Sequence, residues 1–191
     1  VWCHGLRSPV KSYANDPYNE TYFGAPEGEL LQEGMKQHFI RGHQLRERYV
    51  DQLKLVGEKY SRYETVVRSS DTPRCSQSAL VNLAGFYAGS PTFPSRVPNW
   101  PSKLTPIPIH TVPHDEDYVA LITQDNVCKQ FDKAQVARMQ RQEFQDFLAS
   151  NWRLFHTINS NSGGINSPFV LDYLQNVSRY QTRERLQSDT T

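Results

Sequence analysis

The chain has 191 residues, of which 37% are hydrophobic and 21% are charged, so it is long enough to bury a core within one domain or slightly more. With 21 Lys and Arg residues against 20 Asp and Glu residues, the formal charge is +1, and the two signs are interspersed. This composition excludes a coiled coil, a collagen and a fully disordered chain, and it indicates no nucleic-acid partner. No run of about 18 apolar residues occurs, so no membrane span is predicted.

The first half of the sequence combines an irregular stretch with a long predicted helix. Residues 10–27 are rich in Tyr, Asn, Gly and Pro, which is typical of an irregular surface segment. From residue 29 to about residue 60, apolar residues recur every three to six positions between charges, which predicts an amphipathic helix. These apolar residues are Leu31, Met35, Phe39, Leu45 and Tyr49. His38 and His43 are expected to face solvent or their own helix, and neither is given a role.

A strand, a turn and a second helix are predicted next. Residues 63–67 form a short run with β-branched side chains, which is typical of a strand. Residues 69–72 offer N-cap side chains, and Pro73 suits the first turn of a helix. This helix is expected to end near Gly89 after passing through Leu80, Leu83 and Phe86.

The rest of the sequence combines a proline-rich segment with further helices. Prolines dominate residues 91–113, so a strand at residues 107–112 is expected only at a sheet edge. Apolar spacing between residues 127 and 147 predicts more helix, and Ser167-Pro168 opens another. The last dozen residues are polar and are expected to fray.

Two turns carry side chains suited to an anion. One holds His4 and Arg7, and the other holds Arg68 and Arg74 at the start of the second helix. If the turns face each other beyond neighbouring strands, an imidazole and several guanidinium groups meet in one pocket. Guanidinium groups bind phosphate oxygens in pairs, and a neutral imidazole nitrogen can attack phosphorus. From residue types alone, surface salt bridges and a capping histidine remain open alternatives.

The order of these features resembles that of the histidine acid phosphatases. Residues 4–9, His-Gly-Leu-Arg-Ser-Pro, resemble the signature turn Arg-His-Gly-x-Arg-x-Pro of that family. Residues 28–49 resemble its first long helix, and residues 67–74 resemble its second phosphate-binding turn. Residues 109–113 resemble a segment common in its lysosomal and prostatic branch. The resemblance covers roughly the whole chain.

The resemblance implies an α/β fold of the histidine-phosphatase type. We expect an incomplete α/β sandwich core at residues 1–122 and a helical cap subdomain with a polar tail at residues 123–191. In the family a second half completes the sheet, so this sequence is expected to be the first half of such a phosphatase. Either a fragment or a degenerate gene would account for it.

The resemblance also assigns an activity and its residues. His4 would be the nucleophile that takes phosphate from a phosphomonoester at low pH, with Arg7 and Arg68 holding the phosphate oxygens. Arg74 is assigned to substrate binding near the pocket, although it could instead hold its turn together through a carboxylate. Neither a cofactor nor a metal is expected.

Two departures from the family pattern affect this chemistry. Cys3 stands where the family has the arginine before the nucleophile, and the loss of that charged hydrogen bond costs about 1.5–3 kcal/mol. The family's proton-donating His-Asp pair is distal, and His114-Asp115 comes too early to be it, so we interpret that dipeptide as a surface loop. The alternative function is therefore an inactive relative that binds a phosphorylated ligand or acts as a secreted interaction protein.

Cysteines and glycosylation motifs bear on localisation. Cys3, Cys75 and Cys128 are an odd number without metal-site spacing, so at least one is free or paired elsewhere, and Cys128 resembles a family cysteine with a distal disulfide partner. Sequons at Asn19 and Asn176 fit a secreted or lysosomal glycoprotein, although this sequence shows no signal peptide. The physiological substrate and the presence of a homodimer stay open.

Overall fold

The computed structural model describes residues 1–10, 12–18, 20–90, 97–98, 105–120 and 129–163. Within these ranges lie six α-helices: α1 Glu20–Phe23, α2 Gln32–Arg46, α3 Pro73–Phe86, α4 Lys129–Met139, α5 Gln142–Ser150 and α6 Trp152–Ser162. The sequon asparagines, Cys128, the helix predicted from Ser167 and most of the proline-rich segment lie outside the described residues. Among the described helices, none is long and apolar enough to cross a membrane.

The chain divides into two compact units, one comprising Val1–Ser8 with Gly28–Asp117 and the other comprising Pro9–Glu27 with Tyr118–Thr191. In the second unit, the amide of Asn15 donates to the carbonyl of Asn161 at 3.2 Å, and the rings of Phe147 and Phe155 meet edge to face. Helix α6 ends at Gly163, whose φ of 83° suits a glycine after a helix. The helix predicted between residues 127 and 147 is confirmed from Lys129 onwards.

Helix α2 is shorter than the sequence predicts. It starts at Gln32, and a π-helical segment, Glu47–Gln52, continues it. Lys54 then adopts the left-handed conformation with φ 53°, and the N–H groups of Leu55 and Val56 both donate to the carbonyl of Tyr49. Because this closure ends the helix, the prediction that it reaches residue 60 is wrong.

The buried face of α2 also differs from the prediction. Gly34, His38 and Gly42 are buried at a spacing of four, whereas Phe39, part of the predicted apolar face, is 36% exposed. The contact face is set by close backbone approach, which only glycine permits, instead of by large side chains. His38 was expected to face either solvent or its own helix, and the first of these alternatives is wrong, because the residue is 7% exposed between two such glycines.

Helices α2 and α3 pack against each other along a seam of backbone contacts. A Cβ added to Gly42 would collide with the carbonyl oxygen of Asn82, and one added to Gly85 would collide with that of Phe39. Across the same seam, the Asn82 amide donates to the carbonyl of His38 at 3.2 Å. Beside it, a cluster of Leu83, Tyr87 and Ile107 forms the core of the first unit.

We expect Gly42→Ala to destabilise the protein by about 2 kcal/mol, because the new methyl group must push the helices apart. Helix propensity alone would predict the opposite change, because alanine stabilises a helix by about 1 kcal/mol relative to glycine. Urea unfolding measures the difference. Gly57→Ala is the control, since its Cβ would meet the flexible Glu64 carboxylate at 3.1 Å and a backbone oxygen, that of Lys59, only at 3.7 Å, an ordinary contact distance. A Gly42→Ala variant as stable as this control would contradict the expected clash.

Strand structure in the described residues is limited to two isolated bridges, an antiparallel one between Arg7 and Leu30 and a parallel one between Arg68 and His110. His110 donates to the carbonyl of Val67 and accepts from the N–H of Ser69. In a parallel ladder the donor before His110 would be residue 108, which is proline and has no N–H, so the ladder cannot extend in that direction. The strands predicted at 63–67 and 107–112 are therefore reduced to this single bridge.

The predicted second helix is confirmed. Helix α3 begins at Pro73 in its first turn and ends at Phe86, and a turn leads to Gly89 with φ 80°. Thr72 occupies the N-cap position without a side-chain hydrogen bond. This helix start places Arg74 and, one turn later, Ser78 next to the turn that follows Cys3.

Candidate active site

The imidazole of His4 is held in one defined orientation. Arg7 Nε lies 3.3 Å from His4 Nε2, and His4 Nδ1 lies 2.8 Å from the carbonyl oxygen of Gly5. A guanidinium group can only donate, so Nε2 must be the accepting nitrogen. Nδ1 then carries the proton and donates it to Gly5. This tautomer leaves the lone pair on Nε2, on the side of the ring where Arg7 lies.

Burial lowers the pKa of the His4 imidazole below its ordinary value, and the hydrogen bond to the Gly5 backbone offsets part of that effect. The positive charges of Arg7 and Arg74 and the nearby His38 lower the pKa further. The ring therefore stays neutral, and Nε2 keeps its lone pair, at a lower pH than for a histidine in water.

Two guanidinium groups act on this ring: Arg7 contacts it, and the charge of Arg74 helps to lower its pKa. Arg7 is fixed at a second point, because one of its terminal nitrogens donates to the carbonyl of Ser8 at 2.8 Å. Arg74, in the first turn of α3, has a buried Nε with no hydrogen-bond partner among the described residues. A buried guanidinium N–H without an acceptor is costly, and an anion is the group that would satisfy it.

Arg68 is engaged by a carboxylate from a distant part of the chain. Its guanidinium lies 2.8 Å from Asp117, which is fully buried, while the Arg68 side chain is 41% exposed. The structure therefore brings His4, Arg7 and Arg74 together, whereas the described contacts of Arg68 are those with Asp117 and His110. Sequence reasoning missed Asp117, because nothing local links it to a residue 49 positions earlier.

His38 was also missed as a member of this neighbourhood. It is only 7% exposed, and its Nδ1 has no hydrogen-bond partner among the described residues. Burial lowers its pKa, and hydrogen bonding to the backbone of His4 and Cys3 offsets part of that effect. Its place under the His4 turn follows from the glycine spacing on α2, which is the signal that could have found it.

We expect these two histidines to make the protein less stable in acid. Because both pKa values are lowered in the folded state, the unfolded chain binds more protons below about pH 6.5, and the free energy of unfolding falls as the pH falls. His38→Gln should reduce this acid-side loss, measured by urea unfolding at a series of pH values. The control, His43→Gln, removes an exposed histidine of the same helix and should retain the full loss. Equal slopes for both variants would exclude a role for His38.

The His-Asp dipeptide and the cysteines complete the sequence-predicted groups. His114 and Asp115 are exposed in a turn closed by a hydrogen bond from Glu116 to Pro113, which confirms the surface-loop interpretation. Cys3 is exposed, Cys75 is half-buried, and both are free thiols.

Comparisons with known proteins identify the family to which this chain belongs. The model of the histidine phosphatase superfamily (branch 2) matches residues 1–177. Lysosomal acid phosphatase of Rattus norvegicus is 35% identical over 93% of this chain and 40% of its own length. Prostatic acid phosphatase of Bos taurus is 37% identical over 78% of this chain and 36% of its own length.

A phytase from Klebsiella sp. ASR1 aligns in structure with a TM-score of 0.44 and 21% identity over 79% of this chain and 36% of that one. The chain spans about two fifths of the length of the acid phosphatases it matches. Membership of the matched superfamily fits an α/β fold, to which the described residues contribute helices and two bridges. The chain belongs to the histidine phosphatase superfamily, branch 2.

Proposed function

We propose that this protein hydrolyses phosphomonoesters through a phosphohistidine formed on His4. The observation that carries the proposal is the His4 ring itself, whose Nε2 lone pair faces Arg7 while its pKa is lowered. The names of the acid phosphatase relatives support the same reaction class.

In the first step, the Arg7 Nε–H moves from His4 Nε2 to a phosphate oxygen, the released lone pair of Nε2 attacks phosphorus, and the bond from phosphorus to the ester oxygen breaks. The charge on the equatorial oxygens is stabilised by the guanidinium groups of Arg7 and Arg74, which lie nearest to the ring. The Nδ1 proton stays in its bond to Gly5, which also stabilises the positive charge that forms on the ring. Water then attacks the phosphohistidine, releasing inorganic phosphate and restoring the neutral imidazole.

We assign Arg68 to the phosphate site as well, in the role that the family resemblance implies. Its bond to the buried Asp117 fixes one guanidinium nitrogen, which leaves the others to approach a phosphate oxygen. The leaving alcohol needs a proton, and the resemblance assigns that proton to a distal His-Asp pair.

We further propose an incomplete sandwich core at 1–122, a cap at 123–191, and a secreted or lysosomal location.

The test uses an aryl phosphate labelled with ³²P, because a nitrophenolate leaves without needing a proton and the first step can be observed alone. We expect the chain to acquire label that is stable in alkali and lost in acid, as a phosphoramidate is. Peptide mapping should place the label on His4. Label on another residue, or no label when the folded chain is saturated with substrate, would refute the proposal.

A further inference from the structure

The hydroxyl of Ser78 connects the two turns of the candidate site. Ser78 lies on α3 and is 1% exposed. Its Oγ accepts a hydrogen bond from the backbone N–H of Gly5 at 3.1 Å and lies 2.6 Å from the carbonyl oxygen of Arg74. Gly5 directly follows His4, so this side chain contacts the backbone beside the proposed nucleophile and the backbone of a guanidinium partner.

The direction of both hydrogen bonds is fixed by the groups involved. A carbonyl oxygen can only accept, so the one proton of the Ser78 hydroxyl points to Arg74. The lone pairs of the same oxygen are then left for the Gly5 N–H. Since the donated bond returns to the preceding turn of the same helix, the hydroxyl is held in one rotamer. It can therefore serve as a fixed acceptor.

The His4 turn is also held by α2. A Cβ added to Gly5 would lie 2.5 Å from the carbonyl oxygen of Gly34, so the turn is in close backbone contact with that helix. The N–H of Leu6 also donates to the Gln37 side chain at 3.2 Å. With α2 blocking movement on one side, the Ser78 bond determines how closely the turn approaches α3, the helix that carries Arg74.

We propose that Ser78 is a positioning residue that fixes the His4 imidazole relative to the Arg74 guanidinium. The inference rests on the proposed function for its catalytic consequence. Its structural content stands separately, since the bond to Gly5 and the environment of the His4 ring can be measured without turnover. Ser78 itself contacts backbone groups and acts on the reaction through them.

The matched pair of variants is Ser78→Ala and Ser76→Ala. Ser76 lies on the same helix, and its hydroxyl bonds only to backbone carbonyls of that helix start, those of Thr72 and Pro73, among the described contacts. We expect Ser78→Ala to reduce the rate of His4 labelling by the aryl phosphate about tenfold, as loss of a buried hydrogen bond worth about 1.4 kcal/mol would. Ser76→Ala should label at the rate of the unsubstituted chain.

A second readout follows the His4 ring by NMR titration. In Ser78→Ala the turn can move away from Arg74 and admit water, so we expect the pKa of His4 to rise towards its ordinary value. In Ser76→Ala the pKa of His4 should remain that of the unsubstituted chain. If the pKa of His4 is the same in Ser78→Ala and Ser76→Ala, the positioning role is refuted. This outcome can be read even if the unsubstituted chain takes up no label and the proposed function has been refuted.

A third measurement requires no variant, which matters because Ser78→Ala leaves the buried Gly5 N–H without an acceptor and destabilises the fold. In the unsubstituted chain we expect the Gly5 amide to exchange its hydrogen as slowly as the amides inside α3. Exchange at the rate of an exposed turn amide would overturn the proposal, because the bond to Ser78 would then not persist.

Discussion

Replacing His4 with alanine is expected to eliminate phosphoenzyme formation and to lower turnover at least about a thousandfold, as removal of a covalent nucleophile does in other enzymes. The expectation follows from the orientation of the ring, whose Nε2 accepts from Arg7 while Nδ1 is occupied by Gly5. Arg7, the contact partner of the ring, has no lone pair that could attack phosphorus. The measurement is ³²P incorporation from an aryl phosphate.

The control for this substitution is His43→Ala, which removes an exposed histidine of α2 and should leave labelling unchanged. Circular dichroism of both variants verifies that the helices are retained. Full labelling of the His4→Ala variant would contradict the assignment. If its label were resistant to acid, as an O-phosphate ester is, a hydroxyl side chain would become the next nucleophile to map.

The Cys3→Arg substitution is expected to increase the rate of labelling about ten- to a hundredfold. A thiol cannot form the paired, charged hydrogen bonds of a guanidinium, and each charged bond is worth about 1.5–3 kcal/mol. Cys3 is exposed and lies one residue before His4, so an arginine there has both the space and the proximity to reach phosphate. The measurement is the ratio of kcat/KM between this variant and the unsubstituted chain.

Two further substitutions at position 3 separate charge from geometry. Cys3→Lys supplies the charge without the planar pair of donors and should recover only part of the gain, while Cys3→Ala should recover none. If all three variants label at the rate of the unsubstituted chain, paired donors at position 3 contribute nothing to phosphate binding or to the reaction. If activity appears only with arginine, the present sequence is that of an inactive relative.

Local sequence signals were sufficient to predict the bounds of α3 but not the end of α2. For α3, Pro73 and Gly89 each act through their own backbone geometry, and the structure follows them closely. For α2, the helix ends where Lys54, a residue type with no preference for the left-handed conformation, nevertheless adopts it. That outcome depends on how the following chain packs, so the pattern of apolar residues extended the predicted helix too far.

The candidate site shows the same division between local and distant determinants. The signature turn identifies His4 and Arg7 because the family pattern is contiguous. Asp117 and Ser78 contribute through partners 49 and 73 positions away, at Arg68 and Gly5, and no spacing rule connects residues so far apart. Their side chains are ordinary in type, and burial in the folded chain is what brings them to these distant partners.

The glycine seam between α2 and α3 has a consequence for how this protein can evolve. Where large side chains interlock, a change at one position can be absorbed by a neighbour that adopts another rotamer. At Gly42 and Gly85 the opposing atoms belong to the main chain, which has no such freedom. Substitutions are therefore tolerated more readily on the outer surfaces of the two helices than along the seam that joins them.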